Sequence, residues 1–158
     1  MVITDLNQLN SVLAEALDNT TEKLLNELID IVQKKVYGRG EPQWYIRTNQ
    51  FGESWKFEAS KIMGDVVQSA IFQDNDVMIH NKPLFQHGNK FEALKDGALS
   101  DILNDGTTNA GFGFSPVEAT HFWDEFEEYV EHNLGLVFQE ECRKLQLDIN
   151  YVLQMKVK

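Results

Sequence analysis

Residues 5–37, DLNQLNSVLAEALDNTTEKLLNELIDIVQKKVY, decide the fold class. Leu6, Leu9, Leu13, Leu17, Leu24, Leu28 and Ile31 recur by threes, fours and one step of seven, and Val12, Leu25, Ile29, Val32 and Val36 widen the stripe. A single apolar stripe at that period predicts a long amphipathic helix. Asp5 with Gln8 three residues on predicts a capping box at its start. Its end is predicted at Gly38-Arg39-Gly40-Glu41-Pro42, where glycine loosens the backbone and proline cannot continue the helix. About thirty helical residues rise about 45 Å, more than a domain of this size usually spans, so part of the helix is expected to pack on another chain.

The chain has 158 residues, which suits a single domain over 1–158 that buries roughly 70% of its unfolded surface. With Cys142 the only cysteine, an intramolecular disulfide and a thiolate metal cage are excluded, and a reducing compartment fits. Cys142 is expected to be a small buried apolar residue. The opening MVITDLNQLN carries neither a basic nor an apolar leader region, and no apolar run reaches the length of a membrane span, so neither export by that route nor a membrane partner is expected. Fourteen Lys and Arg against 25 Asp and Glu give a net charge of -11, which disfavours nucleic-acid, anionic-lipid and phosphate surfaces. Asp124, Glu125, Glu127, Glu128 and Glu131 concentrate that charge on what reads as a solvated helix face, with an acidic docking or ion-lined face as the alternative.

Outward from the long helix the pattern changes. Trp44, Tyr45 and Ile46 predict a short strand in a strand-and-loop region spanning 43–81, followed by a polar loop within YIRTNQFGESWKFE, residues 45–58. VVQSAIF (66–72) and VMIH (77–80) flank Gln73-Asp74-Asn75-Asp76, which predicts a β-hairpin turning on that tetrapeptide. Residues 81–115 read as irregular, with one short helix near Leu99 to Leu103. Ser115-Pro116-Val117-Glu118 combines a Ser N-cap, a Pro at the first helical position and a Glu at the third, and predicts a second helix over 115–145, with Phe122, Phe126, Val130, Val137, Phe138, Cys142 and Leu145 on its buried side. Ile149, Tyr151, Leu153, Met155 and Val157 then alternate with more polar residues, which predicts a closing strand over 149–158. The expected fold is α+β: a long N-terminal helix and a second helix in the C-terminal half, packed on a small, mainly antiparallel sheet.

Candidate chemistry is sparse. His80, His87, His121 and His132 form no paired metal-binding spacing; His121 and Glu125 lie four apart, which on one helix would let two ligands share a face, but reads as a solvated pair. GFGFSP (111–116) lacks the spacing and lysine of a phosphate loop and reads as a helix approach. No GxSxG surrounds a serine, and Cys142 has no histidine nearby in sequence. The sequence nominates no catalytic, cofactor-binding or metal-ligating residue, and the chain is expected not to be an enzyme and to need no cofactor. In residues 45–58, Arg47, Thr48 and Ser54 can bond the loop backbone while Phe51, Trp55 and Phe57 pin it to the core.

That stretch also carries a resemblance. The long first helix, followed by Thr48, Phe51, Ser54 and Trp55 at that spacing, resembles the head-tail joining and minor tail component family of tailed bacteriophages, in which the stretch usually reads Pro-x-x-Thr-Gly-x-Leu-x-x-Ser-Ile. Ile102-Leu103-Asn104-Asp105-Gly106 answers to the family's later glycine-containing turn, and His121-Phe122-Trp123 to the start of its aromatic-rich closing helix. Asn49 stands where the family has glycine, Arg47 where an acid is common and Trp55 where a smaller aliphatic is usual. The resemblance covers roughly residues 5–145 and implies a virion protein of neck, tail completion or tail terminator type, made in the bacterial host cytoplasm. Its implied partners are copies of itself in a ring and neighbouring connector, neck or tail-tube proteins, with DNA passing through the lumen but not specifically bound. Composition fits a rival reading as well, an acidic cytosolic immunity or inhibitor protein that masks a basic partner.

Overall fold

The computed structural model describes residues 3, 5–39, 49–77, 98–106 and 118–147. Along them run α1 (Leu6–Val32), a π-helical turn (Gln33–Tyr37), α2 (Gln50–Glu53), β1 (Trp55–Met63), β2 (Val66–Gln73), a 3-10 turn (Asn75–Val77), α3 (Ala98–Asp105) and α4 (Phe122–Lys144). The class is α+β, with the two long helices and a two-stranded antiparallel sheet. The expected strands at 44–46 and 149–158 lie outside the described residues.

At the start of α1 the Gln8 N–H donates to the Asp5 carboxylate at 2.8 Å, the cap that the Asp5/Gln8 spacing predicts. The step of seven between Leu17 and Leu24 is filled by Thr20 and Thr21, both buried, whose hydroxyls donate to the carbonyls of Ala16 and Leu17 at 2.7 and 2.8 Å. Back-bonding within the helix lets two polar residues occupy the apolar stripe without orphaned groups. Leu6, at the head of the stripe, is 58% exposed and so is not part of the core. The π-turn closes at Gly38, where a Cβ would meet the Lys34 carbonyl oxygen at 2.3 Å, so no other residue fits without moving the backbone.

The hairpin differs from the expected one. β1 and β2 turn on Gly64-Asp65, not on residues 73–76. Gly64 takes φ +65, the left-handed backbone that a two-residue turn demands and only glycine adopts freely. The Gln73–Asp76 run instead leads out of the sheet: Asp76 N–H donates to the Asp74 carboxylate at 3.1 Å and Val77 N–H to the Asp74 carbonyl at 3.3 Å. Residues 55–58, expected in a loop, begin β1, and residues 50–53 before them form α2.

The chain divides into two compact units, Met1–Leu25 with Phe57–Ile71 and Glu128–Lys158, and Asn26–Lys56 with Phe72–Glu127. In the first, Ala16, Phe138, Cys142 and Leu147 form a buried cluster with Ile3, Leu9, Val12, Leu13, Leu17 and Leu145 packed against it. Lys23 and Lys144 both reach the buried Glu141, at 2.6 and 2.8 Å. The sheet is tied to α1 by Asn10, whose amide donates to the Gly64 carbonyl at 3.2 Å, and by Asp18, whose carboxylate accepts the Ser60 N–H at 2.6 Å.

α4 ends in a Schellman motif: Leu147 N–H donates to the Cys142 carbonyl at 2.8 Å and Gln146 N–H to that of Arg143 at 2.9 Å. The motif requires a left-handed residue between, and Gln146 supplies it at φ +61. Replacing Gln146 by Gly should therefore raise stability in urea unfolding by about 1 kcal/mol, the strain of a left-handed non-glycine residue.

Hydrogen bonds from Lys144 and then Lys23 hold the Glu141 carboxyl below its ordinary range. A carboxyl depressed in the folded state adds stability above its unfolded value, near 4.3, and loses it as pH falls through the lower folded value. The urea midpoint is expected to fall as pH drops below the ordinary carboxyl range, and Glu141→Gln to be less stable at neutral pH and to flatten that slope.

Candidate functional site

Within the unit Asn26–Lys56 with Phe72–Glu127, the residues singled out by sequence converge on the start of α4. Phe51 meets Phe122 edge-on at a centroid distance of 5.5 Å and Trp55 at 6.0 Å. Trp55 stacks on Trp123 at 5.5 Å and 17°, and Trp123 leans on Phe126 at 5.3 Å. Phe51, Trp55, Phe122 and Phe126 are all buried. Such ring pairs are worth about 0.5–1.5 kcal/mol each beyond the area they bury. The cost of the arrangement sits at Trp55 Nε1, a buried donor with no hydrogen-bond partner among the described residues.

Ser54 is fully buried, and its hydroxyl donates to the Phe51 carbonyl at 2.7 Å, closing the single turn of α2. It accepts from Gln73 Nε2 at 3.3 Å, Gln73 Oε1 accepts from the Ser100 hydroxyl of α3 at 2.6 Å, and the Ser54 carbonyl takes the Asp74 N–H at 2.7 Å. The Ser-Trp pair is therefore a junction for α2, the end of β2 and α3. Gly52 N–H donates to the Tyr37 hydroxyl at 3.3 Å, which ties the same turn to the end of the π-helical segment.

α4 does not begin at Ser115 as expected. Residues 118–121 are described and non-helical, and the helix starts at Phe122. Ser115-Pro116 and GFGFSP lie outside the described residues, as do Tyr45, Arg47 and Thr48. The later start follows from contacts remote in sequence. Thr120 N–H and His121 N–H donate to the Asn104 carbonyl at 3.1 and 3.0 Å, and the Thr120 N–H and hydroxyl both reach the Leu103 carbonyl, at 2.9 and 2.6 Å. These satisfy carbonyls at the end of α3 that have no partner within that helix. In return Asn104 Oδ1 accepts the Trp123 N–H at 2.9 Å, capping α4 from a different helix. His121 holds φ +52 to make the exchange, and Arg39 fixes the approach by donating to the carbonyls of Glu118 and Ala119 at 3.2 and 2.5 Å.

Three acids of the 120s, Asp124, Glu125 and Glu127, have individual partners. Asn104 and His121 bond Asp124 at 3.2 and 2.9 Å, and they hold its carboxyl below the ordinary range, Asn104 more strongly. Glu125 pairs with Lys35 at 2.5 Å, and His121, which precedes the helix, pairs with Asp124 instead of forming the expected solvated pair with Glu125. Glu127 accepts the Trp123 indole N–H at 2.7 Å. Glu128 and Glu131 are exposed. Among the described residues no three His, Cys, Asp or Glu side chains gather in a metal-binding group. Cys142 is buried, and burial first and Glu141 second push its thiol up, away from the reactive thiolate. The His121–Asp124 pair is exposed, and the hydroxyl of the preceding Thr120 is committed to the Leu103 carbonyl, so these groups act as a clamp between α3 and α4.

Sequence reading missed Asn104, Gln73, Ser100, Lys35 and Arg39. Asn104 before Asp105-Gly106 reads as an ordinary helix stop, and nothing local announces that its side chain caps a helix 18 residues on. Comparison with family models, curated proteins and solved structures finds no match.

Replacing Asn104 by Ala should cost roughly 1–2 kcal/mol in urea unfolding, the range for a lost helix cap. In the same variant the Asp124 carboxyl, followed by NMR titration, should move up toward its ordinary value.

Proposed function

We propose that this protein works by assembly, as a structural subunit at the head-tail joint of a tailed phage, of neck, tail completion or tail terminator type. The observation that carries this reading is the use made of the Phe51, Ser54 and Trp55 positions of the phage-like stretch: all three are buried in a junction between elements. A motif whose described positions are spent on shape suits a subunit whose task is to present surfaces. The net charge of -11 supports the same reading, since a joint through which DNA passes must not hold it. The reading requires no cofactor and no catalytic group. The exposed Glu128 and Glu131 favour the second reading, an acidic inhibitor that covers a basic partner.

Deleting the gene from a phage that encodes it is expected to leave filled heads and separate tails in electron micrographs, with joining restored by the full chain. A chain lacking Ile149–Lys158, the alternating segment, is expected to restore it poorly. Normal particles without the protein, together with a tight equimolar complex with a basic toxin or nuclease, would replace the phage reading by the inhibitor reading.

A further inference from the structure

Among the described residues β2 pairs with β1 alone, so within them the sheet has two outer edges, and the two are treated differently. On the β1 edge, the Ser60 N–H is taken by the Asp18 carboxylate at 2.6 Å and the Ser60 hydroxyl reaches the Ala14 carbonyl at 3.3 Å, so α1 covers it there. β1 also carries Lys56, Glu58 and Lys61, charges of the kind that keep an edge from pairing with another chain. β2, VVQSAIFQ, has no charge, no proline and no glycine over eight residues. Val66, Gln68, Ala70 and Phe72 are exposed in alternation with partly buried Val67, Ser69 and Ile71, and Val66 and Phe72 remain 51% and 45% exposed.

The register shows which backbone groups this edge offers. A two-residue turn at Gly64-Asp65 sets Met63 opposite Val66 and hence Ser60 opposite Ser69. Because the Ser60 N–H points away from β2, to Asp18, the Ser60/Ser69 pair is one that exchanges no ladder bonds. Ser69 therefore turns its own N–H and C=O away from β1, and by the period of two Val67 and Ile71 do the same.

From this we infer that β2 is a self-association edge: two copies of the chain pair β2 against β2, antiparallel, about a two-fold axis at Ser69, and build one four-stranded sheet. The occupant is a second copy because the strand is complementary to itself about that residue. Val66 meets Phe72 of the second copy, Val67 meets Ile71, Gln68 meets Ala70 and Ser69 meets Ser69, so apolar faces apolar at both ends and the outward N–H and C=O groups of Val67, Ser69 and Ile71 bond in register. Two chains of net charge -11 repel over most of their surfaces, yet along this strand no like charges oppose. Only Asp65 and Asp74 flank the pairing, and screening of the overall repulsion makes the pair tighten as salt is added. The pair also raises the sheet from its two described strands to four, past the size at which a sheet is stable only with help. This inference is independent of the phage reading, and a ring of copies would need a further, head-to-tail surface.

Size-exclusion chromatography with light scattering on the full chain, from about 1 μM to about 1 mM, should show a monomer-dimer equilibrium that shifts to dimer with salt. Ala70→Lys, which puts a charge on the exposed side of the edge, should weaken the dimer at least about tenfold with the circular dichroism spectrum unchanged. Ser69→Cys should form a disulfide-linked dimer under mild oxidation, since residues facing each other across a bonded pair lie about 5.5 Å apart at Cα, within disulfide range. Lys61→Cys on β1 should not, and the unsubstituted protein, whose Cys142 is buried, is the blank. A monomer at every concentration, open-ended multimers, a Ser69→Cys chain that fails to cross-link, or a folded Ala70→Lys chain that dimerises unchanged would each overturn the inference. Should Ala70→Lys not fold, the Ser69→Cys result decides alone.

Discussion

The end of α3 and the start of α4 hold each other. Helix ends leave carbonyls at one terminus and N–H groups at the other without partners, and a buried end that stays unpaired costs free energy. Here the Leu103 and Asn104 carbonyls accept from Thr120 and His121, and the Asn104 side chain answers by accepting from Trp123. The exchange sets where α4 begins, and that in turn sets where Phe122 and Trp123 meet Phe51 and Trp55. His121 tolerates a left-handed backbone for the same end. A helix begun at Ser115 would leave the α3 carbonyls to other partners and turn these rings to different faces.

The polar groups of the described residues follow one pattern. Side chains that might have been read as reactive are consumed in holding backbone: Ser54 closes α2, Thr120 serves α3, Asn104 caps α4, Asp18 binds a strand N–H. Charged groups that approach burial are paired, as Glu141 is by Lys23 and Lys144. The excess of acid is left to exposed positions such as Glu128 and Glu131, where solvent screens it. Against that surface the uncharged strand β2 is the exception, and an exception in charge on an exposed strand edge is what contact with another chain requires.

Much of the architecture was legible in the order of residues because its cause is local. The stripe of α1, its Asp5 cap, its stop near Gly38 and the short helix near residue 100 all follow from spacing and backbone preference over a few residues. The buried side of α4 was legible for the same reason: Phe122, Phe126, Val130, Phe138 and Cys142 repeat at the helical period and are buried. The hairpin was misplaced because two turn signals compete, and Gln73-Asp74-Asn75-Asp76 is the longer. Gly64 prevails because the tight turn depends on one positive φ rather than on how many polar residues gather.

What the sequence determined by itself is therefore the fold class, the two long helices and the burial of the lone cysteine, since each depends on periodicity or on single-residue chemistry. The tertiary structure decided the start of α4, the junction at Ser54, the partners of Asp124 and Glu125, and which edge of the sheet is covered. Those features depend mainly on hydrogen bonds, ring contacts and an ion pair between residues 16 to 90 positions apart, such as Thr120 with Asn104 and Lys35 with Glu125. No local pattern encodes such a pair, because the free energy that selects it arises only when folding brings both members out of water together.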